Sequence, residues 1–297
     1  MNVLISGSTG LIGSALAARL ADAGEPVRRL VRPGARCSET DVRWDPAGGQ
    51  IDPEALPGSG AVVHLAAESI AGRWTAAKKA RIRDSREGPT RLLCRALADL
   101  ADPPAVLACA SAVGFYGDRG DEVLSEDSPA GEGFLPSVCR AWEAAAAPAV
   151  ARGIRVVHLR FGVVLSRSGG ALRRMLLPFR LGLGGRIGDG EQFWSWISLD
   201  DAVSAILHVL RCEPLRGAVN VVAPNPVTNR RFTKALAGVL RRPALLPMPA
   251  SAARLLFGQM AKEVLLASAR AQPRKLLDSG FVFRHPELGG ALRDILP

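Results

Sequence analysis

Glycine stands at positions 7, 10 and 13, inside the run Ser6-Gly7-Ser8-Thr9-Gly10-Leu11-Ile12-Gly13. The residues before it, Asn2-Val3-Leu4-Ile5, read as a short buried strand. Those after it put Ile12, Ala15, Leu16 and Leu20 on one face of a helix, with Gly24 as its stop. Strand, glycine turn and helix start together make an anion site. The glycines let the backbone approach a pyrophosphate, and the free N–H groups of the first helical turn point at it. Gly7, Ser8, Thr9, Gly10, Leu11, Ile12 and Gly13 are therefore the candidate cradle. A tight turn with no ligand uses the same residues; the place of the turn in a βαβ unit favours the ligand.

The next candidate lies at the end of the second predicted strand, Val27 to Arg32. A site for NAD usually has an acidic residue there, about 20 residues past the glycines, to bind the ribose 2′-hydroxyl. This chain has Val31-Arg32-Pro33 instead. Arg32 suits a 2′-phosphate, gripped by charge-assisted paired contacts, which an Asp would repel. The competing reading is an arginine that merely ends a strand at the surface. The cofactor expected from the residues is NADP(H).

Composition narrows the class. The chain has 297 residues and is 48% hydrophobic, enough for one large α/β domain or two smaller ones. No apolar run is long enough for a membrane span, and no secretory signal is visible at the N-terminus. Cys37, Cys94, Cys109, Cys139 and Cys212 are odd in number and lack a Cys-x-x-Cys pair, which reads as reduced thiols in a cytoplasmic protein. His64, His158, His208 and His285 are equally scattered, so no metal site is expected. The net charge of +10 invites a nucleic-acid reading. Lys78, Lys79, Lys234, Lys262 and Lys275 are the only lysines; the remaining basic residues are Arg, spread along the whole chain without an aromatic-basic motif. That dispersion argues for a composition bias and against a nucleic-acid partner.

The elements that position these residues follow from the pattern. Residues 34–60 form a loop with a short strand near Val42-Arg43-Trp44. Ala61 to Ala67 is a strand apolar on both faces, so Leu65, Ala66 and Ala67 fall at the carboxyl edge of the sheet, where cofactors bind. His64 reads as a core or strand-end residue. Thr75 to Leu100 is a long helix and Ala105 to Ala112 the next strand. Ser137 to Arg152 is predicted as one helix whose Ala144 to Ala147 suit close packing against another helix or a second subunit, which admits a homodimer. Arg155 to Leu159 is a strand, Ala171 to Arg180 a helix and Gly182 to Arg186 a flexible loop. Ser198-x-x-Asp201 fits a capping box that starts a helix through Leu210. Ala218 to Val222 returns to the main sheet, and 228–240 and 251–269 read as helices.

The glycine triplet, Val62-Val63-His64-Leu65-Ala66-Ala67 and Phe115-Tyr116-Gly117 resemble the extended short-chain dehydrogenase/reductase superfamily. Arg73-Trp74, Lys79, Ile82, Ser85-Arg86, Thr90, Trp142-Glu143, Leu177-Pro178-Phe179, Gly182-Leu183-Gly184-Gly185, Trp196-Ile197, Pro273-Arg274-Lys275-Leu276-Leu277, Gly280-Phe281 and Phe283 narrow the resemblance to one atypical branch, the YfcH-like epimerase family proteins. It covers essentially the full chain. It implies an α/β fold: a Rossmann-type doubly wound parallel sheet with a smaller, mostly helical C-terminal substrate domain. The expected division is 1–165, completed by about 196–223, for the NADP-binding domain. Residues 166–195 and 224–297 would form the substrate-side region and a branch-specific domain that roofs the cleft.

The resemblance also assigns roles. Val164 falls at a strand end near the nicotinamide. Arg86 precedes by four residues the position, Thr90, where many members carry an Asn near the cofactor; it would reach cofactor or substrate, or else anchor its helix to a neighbouring loop. The superfamily's chemistry uses a Tyr and a Lys four residues apart on one helix, the lysine lowering the phenol pKa so that it exchanges a proton with substrate. Here Tyr116 is the single tyrosine and position 120 is Gly. Aligning Glu143 with the acidic residue that often follows the lysine puts Leu135 and Cys139 in the two slots; a shift by one puts Phe134 and Val138 there. Ser111, Tyr116 and Cys139 are the substitutes on offer. Arg side chains and Phe193, Trp194 and Trp196 beside the glycine loop suit either a pocket for a small anionic substrate or ordinary domain packing.

Two functions follow. One is an NADP(H)-dependent oxidoreductase or epimerase acting on an unknown small-molecule substrate without the usual Tyr–Lys pair. The other is a catalytically silent regulator or scaffold that senses NADP(H).

Overall fold

The computed structural model describes residues 1–296. β1 (Val3–Ser6) feeds the glycine turn and α1 (Leu11–Asp22), and β2 (Val27–Val31) follows. A hairpin of β3 (Val42–Asp45) and β4 (Gln50–Ile51) leads to β5 (Ala61–His64) and the long helix α2 (Ala76–Ala98). β6 (Val106–Ala112), β7 (Val123–Leu124), α3 (Phe134–Ala144), α4 (Ala147–Ala151) and β8 (Arg155–Phe161) come next. Beyond them lie β9 (Val163–Leu165), α5 (Gly170–Arg180), β10 (Phe193–Trp194), β11 (Trp196–Ser198), α6 (Leu199–Arg211) and β12 (Gly217–Val221). β13 (Val227–Thr228), α7 (Asn229–Leu240), α8 (Ala250–Phe257), β14 (Arg270–Ala271), α9 (Arg274–Asp278) and α10 (Leu288–Ile295) complete the chain.

The main sheet runs β12-β8-β6-β5-β1-β2-β3-β4. All pairings are parallel except β3 with β4. The order reverses between β1 and β5, the switch point at which such sheets open a crevice at their carboxyl ends. β1 and β5 are buried at every position because helices cover both faces. Side chains alternate along β1. Val3 and Ile5 pack with Leu16 and Leu20 of α1 and with Ile206 and Val209 of α6. Leu4 joins the opposite core with Leu93 and Leu97 of α2 and Ala146 and Ala149. The doubly wound sheet expected from the sequence is thus present.

A second core joins the helices beyond β9. Leu172, Leu176 and Phe179 of α5 meet Phe232 and Leu236 of α7, Leu288 and Leu292 of α10, and both Trp194 and Trp196. The two tryptophans are almost fully buried, so domain packing is what they do. The glycine loop is not slack either. A Cβ on Gly184 would strike the Phe179 ring, and one on Gly185 would overlap the Leu246 carbonyl.

Several predicted elements are corrected. The strand from Ala61 stops at His64, and Leu65 to Ala67 continue as irregular backbone. The helix expected over 137–152 is two helices, α3 and α4. Pro148 lacks the N–H that would bond the Ala144 carbonyl and its ring crowds that oxygen, so the chain restarts after Ala145 and Ala146. The helix expected over 251–269 ends at Phe257 because Gly258 takes φ +60. A wider turn follows at 261–265, and β14 then pairs with β7. The capping box at α6 is half formed. The Ser198 hydroxyl accepts the Asp201 N–H at 3.0 Å, but the Asp201 carboxylate receives the N–H groups of Arg284 and His285.

Candidate nucleotide site and the buried network beside it

The glycine turn is tight. Gly7 takes φ +71, and a Cβ there would collide with the backbone of Leu65 and Ala66. A Cβ on Gly13 would overlap the Gly7 carbonyl oxygen. Gly10 N–H donates to that same carbonyl at 2.9 Å, and the first bond inside α1 runs from Ser14 N–H to Gly10 O. The N–H groups of Leu11, Ile12 and Gly13 are left at the open end of the helix. No side chain caps α1 and no acid lies in its first turn. Thr9 and Gly10 are exposed. A cradle with free donors, no competing carboxylate and an open mouth fits a diphosphate.

Its neighbours are locked to it. The Ser6 hydroxyl accepts the N–H groups of Leu65 and Ala66 at 3.1 and 3.3 Å and lies 2.6 Å from His64 Nδ1. Two donors fill the lone pairs of Ser6 Oγ, so its own proton goes to Nδ1. His64 is then the neutral tautomer with its proton on Nε2, which donates to Thr90 Oγ1 at 3.0 Å. Trp142 Nε1 donates to the same oxygen. Burial pushes the His64 pKa down to about 4, so the ring stays neutral. His64 is the core residue expected; it ties β1, β5, α2 and α3 behind the cradle.

Arg86 is almost buried. Its guanidinium donates to the carbonyls of Ile82 and Glu68 at 2.9 and 3.0 Å and stacks 4.9 Å over Trp142. It therefore anchors α2 to the segment after β5. The Glu68 carboxylate is taken by Lys78 and Arg81, leaving Arg86 bonded to neutral oxygens. Arg32 follows β2 directly and is exposed. Leu30 pairs with Ser6, the last pair of the parallel ladder, so Arg32 lies two residues past the end of that ladder, beside the strand that feeds the glycine turn. Val164 lies in β9, and its carbonyl and the Leu11 side chain both border Gly170. Gly7 thus adjoins Leu65 and Ala66 at the carboxyl ends of β1 and β5, Arg86 holds the Glu68 carbonyl just beyond them, Arg32 follows β2, and Val164 meets Leu11 of α1 across Gly170.

The two suggested catalytic groups lie in a separate, buried network. Ser111 donates to Glu143 Oε1 at 2.7 Å. Glu143 forms a two-pronged pair with Arg160. Arg160 donates to the Tyr116 hydroxyl at 3.0 Å, and that hydroxyl donates to Asn220 Oδ1 at 2.7 Å. Tyr116 is fully buried and burial raises its pKa, against the lowered phenol that proton exchange needs. Ser111 is likewise occupied by a carboxylate. Both hold strand ends together. Burial also pushes the Cys139 thiol up to about 12, with Glu143 adding to it and Arg86 opposing. Sequence reasoning passed over Arg160, Asn220 and Glu126, whose backbone carbonyl accepts from Arg160 Nη1 at 3.2 Å and whose Oε1 accepts the Asn220 N–H at 3.1 Å. The signal was there: Asn220 in the otherwise apolar β12, and Arg160 between Leu159 and Phe161 near the end of β8, call for buried partners.

The C-terminal segment reaches this region. Glu263 accepts the Leu135 N–H at 2.8 Å, supplying the cap that Gly133 cannot give α3. Among the described residues no cluster of three His, Cys, Asp or Glu could hold a metal, and no helix is long and apolar enough to cross a membrane.

Comparison with known proteins gives two family models. Residues 3–221 match the NAD dependent epimerase/dehydratase family, and residues 248–295 match a domain of unknown function, DUF1731. The epimerase family protein Mb2239 of Mycobacterium bovis is 47% identical over 291 residues, 98% of this chain and 96% of that protein. The crystal structure of human epimerase family protein SDR39U1 (isoform 2) with NADPH superposes with a TM-score of 0.89 at 36% identity, covering 99% of each chain. A nucleoside-diphosphate sugar epimerase from Corynebacterium glutamicum is 37% identical with a TM-score of 0.83; the match covers all of this chain and 58% of that one.

Proposed function

Because this chain belongs to the NAD dependent epimerase/dehydratase family, we propose that it binds NADP(H) and works as a short-chain-dehydrogenase-like oxidoreductase or epimerase on a small molecule. One observation carries the reading: an uncapped, acid-free helix start beside a tight glycine turn, with Arg32 just past the end of the adjacent parallel strand. The related human protein is crystallised with NADPH. The backbone N–H groups of Leu11, Ile12 and Gly13 would hold the diphosphate. Arg32 would hold the 2′-phosphate. Leu65 to Ala67 and Val164 would line the path along the sheet edge. The cofactor supplies hydride transfer when bound. The protein's part is to fix its position and exclude water, and Arg86 holds the wall after β5 rigid for that purpose.

A fluorescence titration with NADPH and NADH, on the wild type and on Arg32→Ala, tests the assignment. NADPH is expected to bind at least about tenfold more tightly, and the variant to lose that preference. Equal, weak binding of both nucleotides would overturn it.

The second reading, a silent NADP(H)-sensing regulator or scaffold, is favoured by the occupied state of Ser111, Tyr116 and Cys139. NADPH consumption with a panel of carbonyl compounds and nucleotide sugars supports the enzyme. Tight NADPH binding without turnover, together with partners captured only in its presence, supports the sensor.

A further inference from the structure

A groove of about 740 Å³ runs between α7 and the segment 241–247, away from the glycine turn. Arg186, Arg230, Lys234, Arg241 and Arg242 line it, and none of the described lining residues is acidic. Its apolar wall includes Ala237, Pro243 and Leu245. Arg230 is paired with Glu191 outside the groove. Among the described residues, Arg186, Lys234, Arg241 and Arg242 have no carboxylate within ion-pair distance.

Two backbone features on the same wall run against the helix. α7 ends in a Schellman turn: Arg241 N–H bonds the Gly238 carbonyl and Arg242 N–H bonds the Ala237 carbonyl. The residue at the turn takes φ +52, the left-handed region in which helices normally place glycine. Here it is Arg241, the one non-glycine with positive φ among the described residues. Glycine stands instead at 238, inside the helix, where it weakens the helix. Packing does not demand it, since a Cβ there would meet nothing within 4 Å. The two choices reverse what helix stability favours. One puts an arginine in the groove's lining; the other leaves open space there.

From this we infer that the groove binds the di- or triphosphate group of a soluble small molecule. The arginines and Lys234 would neutralise the phosphate oxygens, and the aliphatic wall would hold the attached organic group. The groove is open to solvent, and its volume falls in the range of small-ligand sites. This inference is independent of the nucleotide reading at the glycine turn.

Inorganic tripolyphosphate, titrated calorimetrically into the full-length chain, tests it. Arg241→Gly removes a cation and relieves the strained turn. Gly238→Leu fills the groove with a better helix former. Both variants are expected to keep or raise Tm, by about 2 °C, while weakening tripolyphosphate at least about tenfold. Loss of binding therefore cannot be loss of folding. Unchanged affinity in both variants places the anion elsewhere, the glycine turn included, and overturns the inference. So does a wild type that fails to bind tripolyphosphate saturably, or that binds only phosphatidylglycerol vesicles.

Discussion

The guanidinium of Arg160 meets the carboxylate of Glu143 edge to edge, Nε to Oε1 at 2.8 Å and Nη2 to Oε2 at 2.9 Å. Burial alone would raise the Glu143 pKa, but the Arg160 hydrogen bonds and charge hold it below the usual carboxylate range. Removing one member leaves the other charged and buried. Glu143→Ala should cost about 3 kcal/mol or more in urea unfolding. Ser111→Ala, which removes one hydrogen bond to the same carboxylate, should cost about 1–2 kcal/mol. Similar small losses for the two variants would show that Arg160 finds water or another partner.

Tyr116 separates structure from chemistry in the same network. Tyr116→Phe keeps the ring over which Arg160 lies and removes the hydroxyl between Arg160 and Asn220. Stability should fall by about 1–2 kcal/mol. NADPH affinity should stay within about twofold, since the phenol is sealed from the cradle. A tenfold loss of NADPH binding would place the hydroxyl at the cofactor after all.

His64 makes the cradle acid-sensitive. Its folded pKa of about 4 lies below the ordinary 6.5. Above pH 6.5 the ring is neutral folded or unfolded and contributes no pH dependence. Between pH 6.5 and 4 the unfolded chain takes up a proton that the fold excludes, so stability falls as pH falls. It levels off once the folded ring also protonates. The full effect is on the order of 3 kcal/mol. His64→Asn should be less stable at pH 7.5, yet decline less steeply over that window, when both proteins are followed by urea unfolding. Parallel declines would mean that other groups carry the acid sensitivity.

What the sequence disclosed and what it hid divide along physical lines. The cradle, β1, α1 and the parallel sheet rest on local rules: glycine spacing, apolar runs and a period of 3.6. The break at Pro148 was legible in the same terms, since a proline two residues into a new helix cannot continue the old one. The break at Gly258 needed the backbone, because its positive φ depends on where the following segment docks. Tyr116 hid its role for a different reason. Its partners Asn220 and Arg160 lie 104 and 44 residues away, and no pattern along the chain joins them. The same holds for Glu263, which caps α3 from 128 residues downstream.

That remote cap gives a prediction of its own. Glu263 bonds the Leu135 N–H with one oxygen and Gln259 with the other. Glu263→Ala should cost about 1 kcal/mol, as lost helix caps do, and loosen the C-terminal segment where it meets α3. Hydrogen exchange should speed up at Leu135 and within 259–265 while β1 and β5 stay protected. Uniform exchange at all of these sites would show that the contact does not hold the segment down.

The cysteines test whether α3 opens to solvent. Cys37 is exposed, whereas Cys94, Cys109 and Cys139 are buried. The Cys139 thiol, pushed up to about 12, carries only about one thiolate in ten thousand at pH 8. Iodoacetamide at pH 8 should modify Cys37 within minutes and leave Cys139 untouched until the chain is unfolded, as read by peptide mass spectrometry. Adding NADPH should change neither rate. Rapid labelling of Cys139 in the folded protein would mean that its sulfur faces an open cleft. A proton-donating role for Cys139 would then return to contention.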